Sequence, residues 1–195
     1  MKYPRISAAV YGNPWAILPS KLNEIVCALT ALNNGEELAA YPTDDLVSEE
    51  TTTTPEGVRV IPIVGTLAKR VGMLERASGG VSAEAIAAHV REAVAAPDVR
   101  AIVLQIDSPG GTVDGAFELA EVIREARQIK PVVAFADAQA CSAAYLQASA
   151  CSLIVGGETA NVGCIGVVLA LSNTAEAERR AGLKTGLFVS GAYKG

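Results

Sequence analysis

The chain lacks the histidines from which most zinc sites in enzymes are built. It has a single histidine, His89, among 195 residues, which excludes sites made of several imidazoles and any HExxH pair. The cysteines form no Cys-x-x-Cys pair, and their spacing matches no zinc ribbon or redox motif. We interpret them as reduced, buried thiols and expect neither a metal nor a cofactor. The four cysteines are Cys27, Cys141, Cys151 and Cys164.

Aromatic residues, long apolar runs and excess positive charge are also scarce. Apolar residues make up 50% of the chain but aromatic residues only 5%, and the net charge is −5. The most apolar stretch, residues 154–171, is interrupted by glycines, Glu158 and Asn161, so it does not predict a membrane span. Two prolines near the N-terminus interrupt any signal peptide. We therefore expect a cytoplasmic protein with no nucleic-acid or membrane partner.

The first 57 residues predict a short helical extension followed by a linker. Apolar residues recur at helical spacing from about Ser20 to Leu32, and Asn33, Asn34 and Gly35 end the pattern. Residues 43–57 combine five acids with four threonines in a row, which is typical of a flexible, acidic linker. The sequence thus divides into an extension with its linker, residues 1–57, and one globular domain, residues 58–195.

From Val58 onward, apolar β-rich runs alternate with helical stretches. This order predicts parallel strands joined by crossover helices, and hence an α/β fold. A short helix near 142–150, a strand, a further strand near 164–171, a helix and a last strand follow. The alternating runs are VRVIPIVG, SAEAIAAHVREAVAA, AIVLQID, VDGAFELAEVIREARQ and PVVAFAD.

The first candidate for a functional site is the turn Ser108-Pro109-Gly110-Gly111, which follows an apolar strand and precedes a helix. Ligands bind at the carboxyl ends of strands in α/β folds, and paired glycines present backbone N–H groups without side chains in the way. Such a turn can stabilise an oxyanion. The alternative is an ordinary strand-to-helix turn.

The second candidate is Ser142, which lies between small residues at the predicted start of a helix. It could be a nucleophile or a simple N-cap; Cys141 could compete as the nucleophile, but a thiol among alanines is more often a buried apolar group. We expect Ser149 to face the core or a neighbouring helix. A serine nucleophile needs a base, and Lys194, in a glycine-flanked loop, could act if its amine is neutral. His89 is expected to lie on a packing helix instead.

These motifs, taken in order, resemble the signal peptide peptidase A family of serine proteases. The match comprises SPGG after a strand, the serine within SAAYLQAS, the segment VGCIGVVLALSN, and the lysine within SGAYKG. The segments PWAI and GTLAKR resemble the phage branch of that family, the head maturation proteases. The similarity extends from about Trp15 to Lys194, nearly the whole chain.

The resemblance implies a spiral ββα fold, as in Clp proteases and crotonases, and peptide hydrolysis by a Ser/Lys dyad. Ser142 would be the nucleophile and Lys194 the general base, with an oxyanion hole from Gly110, Gly111 and Ala143. It also implies a homo-oligomer with the dyad near a subunit interface. The expected substrates are polypeptides such as phage scaffold, portal or capsid proteins, in the host cytoplasm or the prohead.

Several alternatives remain open from the sequence. One is a bacterial signal-peptide-peptidase-like protease, and another is an inactive head assembly component on the same fold, since relatives generally continue beyond the lysine. A third is a crotonase-like acyl-CoA enzyme, which normally uses a pair of glutamates; here only Asp107 and Asp114 lie at the corresponding turns. A Clp-type triad is disfavoured because no histidine follows Ser142.

Overall fold

The computed structural model describes residues 3–36, 50–71 and 79–184. Its strands are β1 (Pro14–Ile17), β2 (Thr52–Thr53), β3 (Val58–Val64), β4 (Thr66–Ala68), β5 (Gly80–Ser82), β6 (Ala101–Ser108), β7 (Gly110–Thr112), β8 (Val132–Cys141), β9 (Leu153–Gly156), β10 (Asn161–Gly163) and β11 (Val168–Leu169). Its helices are α1 (Pro4–Val10), α2 (Pro19–Asn34), α3 (Ala83–Ala95), α4 (Ala116–Ala126), α5 (Ala143–Ala150) and α6 (Ala175–Arg180).

One sheet forms the centre of the fold, with the strand order β10-β8-β6-β3-β2 and with β9 also paired to β8. Strands β3, β6, β8, β9 and β10 pair in parallel, and β2 is antiparallel to β3. In β6 every second side chain is buried, so that Ile102, Leu104 and Ile106 are fully enclosed. The same core includes buried side chains of α3, α4 and α5.

A second sheet has the order β11-β1-β7-β4-β5. In the chain, β3 is followed by β4 and β5 and then α3, and β6 is followed by β7 and then α4. Each such unit therefore gives a strand to both sheets before its helix. This repeat confirms the predicted α/β class and its spiral ββα arrangement, and it brings the ends of β6 and β8 close to the second sheet.

The helix boundaries follow from ordinary capping chemistry. The side chain of Ser82 accepts a hydrogen bond from the N–H of Ala85 and begins α3. Pro19 occupies the first turn of α2, and Gly35 ends that helix at φ 89°. The sequence predicted this end but placed the start one residue late.

The N-terminal part of the chain holds two strands that the sequence did not predict. Strand β1 joins the second sheet, and β2 pairs with β3 inside the segment predicted as linker, so paired backbone begins before residue 57. Residues 37–49, which include the start of the predicted linker, lie outside the described part of the chain. The domain boundary at residue 57 stays a prediction. Both strands are too short for an alternating apolar pattern to identify them.

Two further differences concern the end of the chain. The strand predicted near 164–171 is reduced to β11, because Cys164 and Gly166 have φ values of 55° and 152° that bend the backbone before it. The strand predicted for residues 184–190 falls almost wholly outside the described residues. Within the described ranges, the helices are all too short or too polar to cross a lipid bilayer.

Candidate active site

Ser142 lies at the junction of β8 and α5 in a backbone conformation that side chains rarely adopt. Its φ is 53° and its ψ −112°, and such strain costs of order 1–3 kcal/mol and concentrates at functional sites. The residue is only 7% exposed. Ser142 occupies the N-cap position of α5, but its hydroxyl makes no cap hydrogen bond to that helix.

The segment after β10 fixes this strained serine. The N–H of Ser142 donates to the carbonyl of Gly163 at 2.7 Å, and its hydroxyl donates to the carbonyl of Gly166 at 3.2 Å. The carbonyl of Ser142 accepts from the N–H of Leu146, which starts the hydrogen bonding of α5. The N–H groups of the first turn of α5, beginning with Ala143, have no partner within the helix and can bind a negative oxygen.

The serine hydroxyl opens onto an apolar cavity of about 370 Å³. Ser149 also lies there, because two helical turns separate it from Ser142; it is exposed rather than buried in the core. A cavity with this lining suits an uncharged side chain. The lining residues are Ala16, Val113, Ala116, Phe117, Ser142, Ala143, Tyr145, Leu146, Ser149, Ile165, Gly166 and Val167.

The predicted oxyanion turn lies beside the serine, at the step from β6 to β7. Gly110 has φ 97°, and a methyl group there would lie 2.9 Å from the carbonyl of Cys141 and 3.1 Å from the N–H nitrogen of Ala143. The turn and the start of α5 are therefore in direct backbone proximity. Gly111 is equally confined, because a methyl group on it would overlap the carbonyl of Leu67.

The N–H of Gly110 has a partner. It donates to the hydroxyl of Ser108 at 3.2 Å, and that hydroxyl donates in turn to the carbonyl of Gly65 at 2.6 Å. Ser108 is fully buried, so its hydroxyl fixes the shape of the turn. For Gly110 to bind an oxyanion, its N–H would have to exchange the Ser108 hydroxyl for the substrate oxygen.

The sequence analysis missed Gln147, a fully buried amide on α5. Its nitrogen donates to the carbonyl of Ala116 at 2.9 Å and to that of Ala143 at 3.2 Å. The amide thereby joins the first turns of α4 and α5, both of which line the cavity. A glutamine in an alanine-rich helix shows no sequence pattern that distinguishes this role from an exposed position.

The cysteine beside Ser142 is unsuited to attack a substrate. Cys141 is fully buried, and its thiol donates to the carbonyl of Asn161. Burial, and secondarily the nearby thiol of Cys164, raises the pKa of Cys141, which keeps it protonated near neutral pH. The expectation of four buried thiols is wrong for Cys27 and Cys164, which are exposed.

The remaining candidate residues lie away from the serine or outside the described structure. Lys194 belongs to residues 185–195, which the structure does not describe. His89 is on α3, 4.0 Å from a carboxylate oxygen of Glu92, and does not line the cavity. Asp114 pairs with Lys69 at 3.1 Å, and this pairing raises the pKa of Lys69.

Nothing in residues 3–36, 50–71 and 79–184 groups three His, Cys, Asp or Glu side chains closely enough to hold a metal ion. The two aspartates considered for acyl-CoA chemistry, Asp107 and Asp114, are both absent from the cavity lining. The arrangement that the described residues do form is a strained serine at a helix N-terminus, beside a glycine turn and an apolar cavity. This arrangement is compatible with a nucleophile whose oxyanion is stabilised by neighbouring backbone N–H groups.

Fold and site together define an α/β protein of the spiral ββα type with a candidate nucleophilic serine. Comparison with known proteins identifies peptidases as relatives. Residues 124–195 match the family model of peptidase family S49. The chain is 33% identical, over 98% of its length, to capsid assembly protease C of Escherichia phage lambda, and covers 48% of that protein. It is 42% identical, over 71% of its length, to head-tail preconnector protein GP5 of Enterobacteria phage P21, and covers 28% of it.

The resemblance to the signal peptide peptidase A family and to its phage branch is thereby confirmed. A bacterial relative, protease 4 of Salmonella typhi, is 33% identical over 52% of this chain. The chain spans about half the length, or less, of these relatives.

Two solved structures are similar to part of this chain. An enoyl-CoA hydratase/isomerase family member has a TM-score of 0.46 at 19% identity, covering 69% of this chain and 52% of that one. The 1510-N membrane-bound stomatin-specific protease, in complex with a substrate peptide, has a TM-score of 0.43 at 18% identity, covering 59% of this chain and 48% of that one. The fold assignment rests on the strand and helix order described above.

Proposed function

We propose that this protein is a serine endopeptidase that uses a Ser142/Lys194 dyad and acts in phage or prophage head maturation. The observation that carries the proposal is the conformation of Ser142. Its strained backbone places the hydroxyl at the N-terminus of α5, beside a glycine turn and an open apolar cavity. Backbone conformations of this cost persist only where the surrounding structure enforces them, and they cluster at active sites.

The proposed reaction is acyl transfer to the serine followed by hydrolysis. Neutral Lys194 removes the proton of the Ser142 hydroxyl, whose oxygen attacks the scissile carbonyl carbon. The N–H groups of Ala143 and of the Gly110–Gly111 turn stabilise the oxyanion. The resulting ammonium group protonates the leaving amine, and the neutral amine then activates the water that releases the acyl group.

The proposal limits the substrate to chains that present an uncharged side chain to the cavity. The described residues that line the cavity are all uncharged, so a charged side chain would lose its hydration against these walls without gaining a partner from them. The proposed natural substrates are scaffold, portal or capsid polypeptides, and the support for them is the similarity to capsid assembly protease C of phage lambda.

A homo-oligomer belongs to the same proposal. Apolar side chains after β10 are strongly exposed in the single chain, with Ile165 83% and Leu171 75% accessible. Apolar residues gathered in one segment are typical of an interface. The same segment forms the outer wall of the serine cavity, so a neighbouring copy that covered it would also lie close to Ser142.

The test is cleavage of an unfolded protein and of a capsid scaffold protein by purified chains, followed by mass analysis. Wild type should cut, whereas Ser142→Ala and Lys194→Ala should each lose at least about a thousandfold in rate. Ser152→Ala and Lys184→Ala are matched controls, since both residues are exposed and neither lines the cavity. Equal cleavage by Ser142→Ala and wild type would overturn the proposal.

A further inference from the structure

Strand β1 occupies an unusual position beside the candidate nucleophile. It lies between β7 and β11 and is antiparallel to both, with Ala16 opposite Gly111 and Trp15 opposite Val168. Strand β7 is the continuation of the glycine turn. A polypeptide substrate that binds by strand addition would need this same edge of β7, but in this structure the chain's own segment fills it.

The side chains of β1 alternate in a way that fits a bound peptide. Trp15 and Ile17 point to one face, where they form a small buried cluster with Leu22 of α2. Ala16 points to the opposite face and lines the same cavity as Ser142. A single small apolar side chain is thus presented to the cavity.

The backbone of Ala16 also lies close to the oxyanion site. A methyl group on Gly110 would overlap the carbonyl oxygen of Ala16 and would lie 3.1 Å from the nitrogen of Ala143. The Ala16 carbonyl and the first N–H of α5 therefore border the same small space. In addition, the N–H of Leu18 donates to the carbonyl of Pro109 at 2.9 Å, which holds the strand along the turn.

We propose that Pro14–Ile17 is an intramolecular pseudosubstrate that occupies the peptide-binding groove between β7 and β11. It must leave the groove before another polypeptide is bound there, and the preferred ligand is an extended peptide with a small apolar residue at the position of Ala16. This inference rests on the proposed function for the identity of the groove. Its binding test does not depend on catalysis.

The experiment measures binding of a fluorescent peptide with the sequence of residues 12–19 to the full chain carrying Ser142→Ala. Ala16→Glu should expel β1 because a carboxylate cannot enter the uncharged cavity. Trp15→Ala removes the anchor on the opposite face and leaves the surface that faces the cavity unchanged. Ala8→Glu is the control, since Ala8 is exposed on α1. Circular dichroism verifies that each variant is folded.

Both strand variants should bind the peptide at least about tenfold more tightly than the control, because the competing segment has left the groove. Folded variants that bind no better than Ala8→Glu would overturn the proposal, because β1 would then be a fixed strand of the second sheet. A third outcome is that the strand variants bind the peptide tightly, but the same variants with Ser142 intact do not cleave it. This result would support the peptide-binding groove and overturn the proposed function instead.

Hydrogen exchange on the unchanged chain gives a second measurement that needs no variant. Amides of β1 should exchange at least about tenfold faster than those of β6, because a pseudosubstrate opens without global unfolding. Equal exchange rates in the two strands would contradict the proposal.

Discussion

The two segments that meet at Ser142 differ sharply in how they are held. On one side, β8 and α5 place Cys141, Ala143 and Ala144 in a fully buried core. On the other, residues 163–167 approach the serine from a segment whose apolar side chains are largely exposed. Ser142 is therefore positioned by packing within the chain, whereas the outer wall of the cavity contacts the serine through two hydrogen bonds, from its N–H to Gly163 and from its hydroxyl to Gly166.

The core side of the site is therefore organised by a single chain, whereas the segment after β10 would need a further surface to bury its apolar side chains. Burying a leucine-sized side chain contributes about 1.5–3 kcal/mol, and the core side has many such residues. The segment after β10 also contains isoleucine, valine and leucine, but their side chains are largely exposed. We expect the core side to remain rigid in the isolated chain and the segment after β10 to depend on its surroundings.

Leu104 and Leu171 give the most direct comparison, since the same substitution can be made in both regions. Leu104→Ala should destabilise the fold by about 2–5 kcal/mol, because Leu104 is fully buried in β6. Leu171→Ala should change stability by less than about 0.5 kcal/mol. Chemical denaturation at low protein concentration measures both, and equal losses would show that the two regions are packed alike.

Gly110→Ala should disturb the core side of the site. The added methyl group would meet backbone atoms of Ala16, Cys141 and Ala143, and a residue other than glycine at φ 97° adds strain of about 1–3 kcal/mol. We expect a loss of stability of at least that size together with loss of peptidase activity. Gly182→Ala is a matched control, because its φ is also positive, no atom lies within 4 Å of the added methyl, and the residue does not line the cavity. A Gly110→Ala chain with unchanged melting temperature and activity would contradict the geometry of the turn.

Ser142→Gly should relieve backbone strain on the core side of the site. Glycine accepts a positive φ without strain, so this variant should be more stable than Ser142→Ala by about 1 kcal/mol, although both lack the nucleophile. Thermal denaturation of the two variants measures the difference. An alanine variant as stable as the glycine variant would mean that the backbone at residue 142 is not strained.

A pH titration probes the buried thiols of the core side. Burial raises the pKa of Cys151 from 9.0 to about 12, so above pH 9 the unfolded chain releases a proton that the folded chain keeps. The stabilising contribution is complete below pH 9 and falls by up to about 1.4 kcal/mol per pH unit as the pH rises toward 12. Cys151→Ala should reduce this alkaline loss of stability, whereas Cys27→Ala, at an exposed site, should not. The same slope in all three chains would contradict the assignment.

The sequence predicted the parts of the fold that local patterns control. The periodicity of α3, the apolar run of β6 and the glycine turn at its end were all recognisable from residues close in the chain. Strand β1 was not, because four residues become a strand only through pairing with β7 and β11, far away in the sequence. Ser142 was recognised as a candidate, but its positive φ depends on contacts with Gly163 and Gly166.

The central claim is that Ser142 is the nucleophile, and labelling with a fluorophosphonate followed by peptide mapping tests it most directly. The proposal predicts one adduct, on the peptide that contains Ser142, and its loss in Ser142→Ala. The mapping separates Ser142 from Ser149, the second hydroxyl in the cavity. An adduct on Ser149, or labelling that persists in Ser142→Ala, would contradict the account.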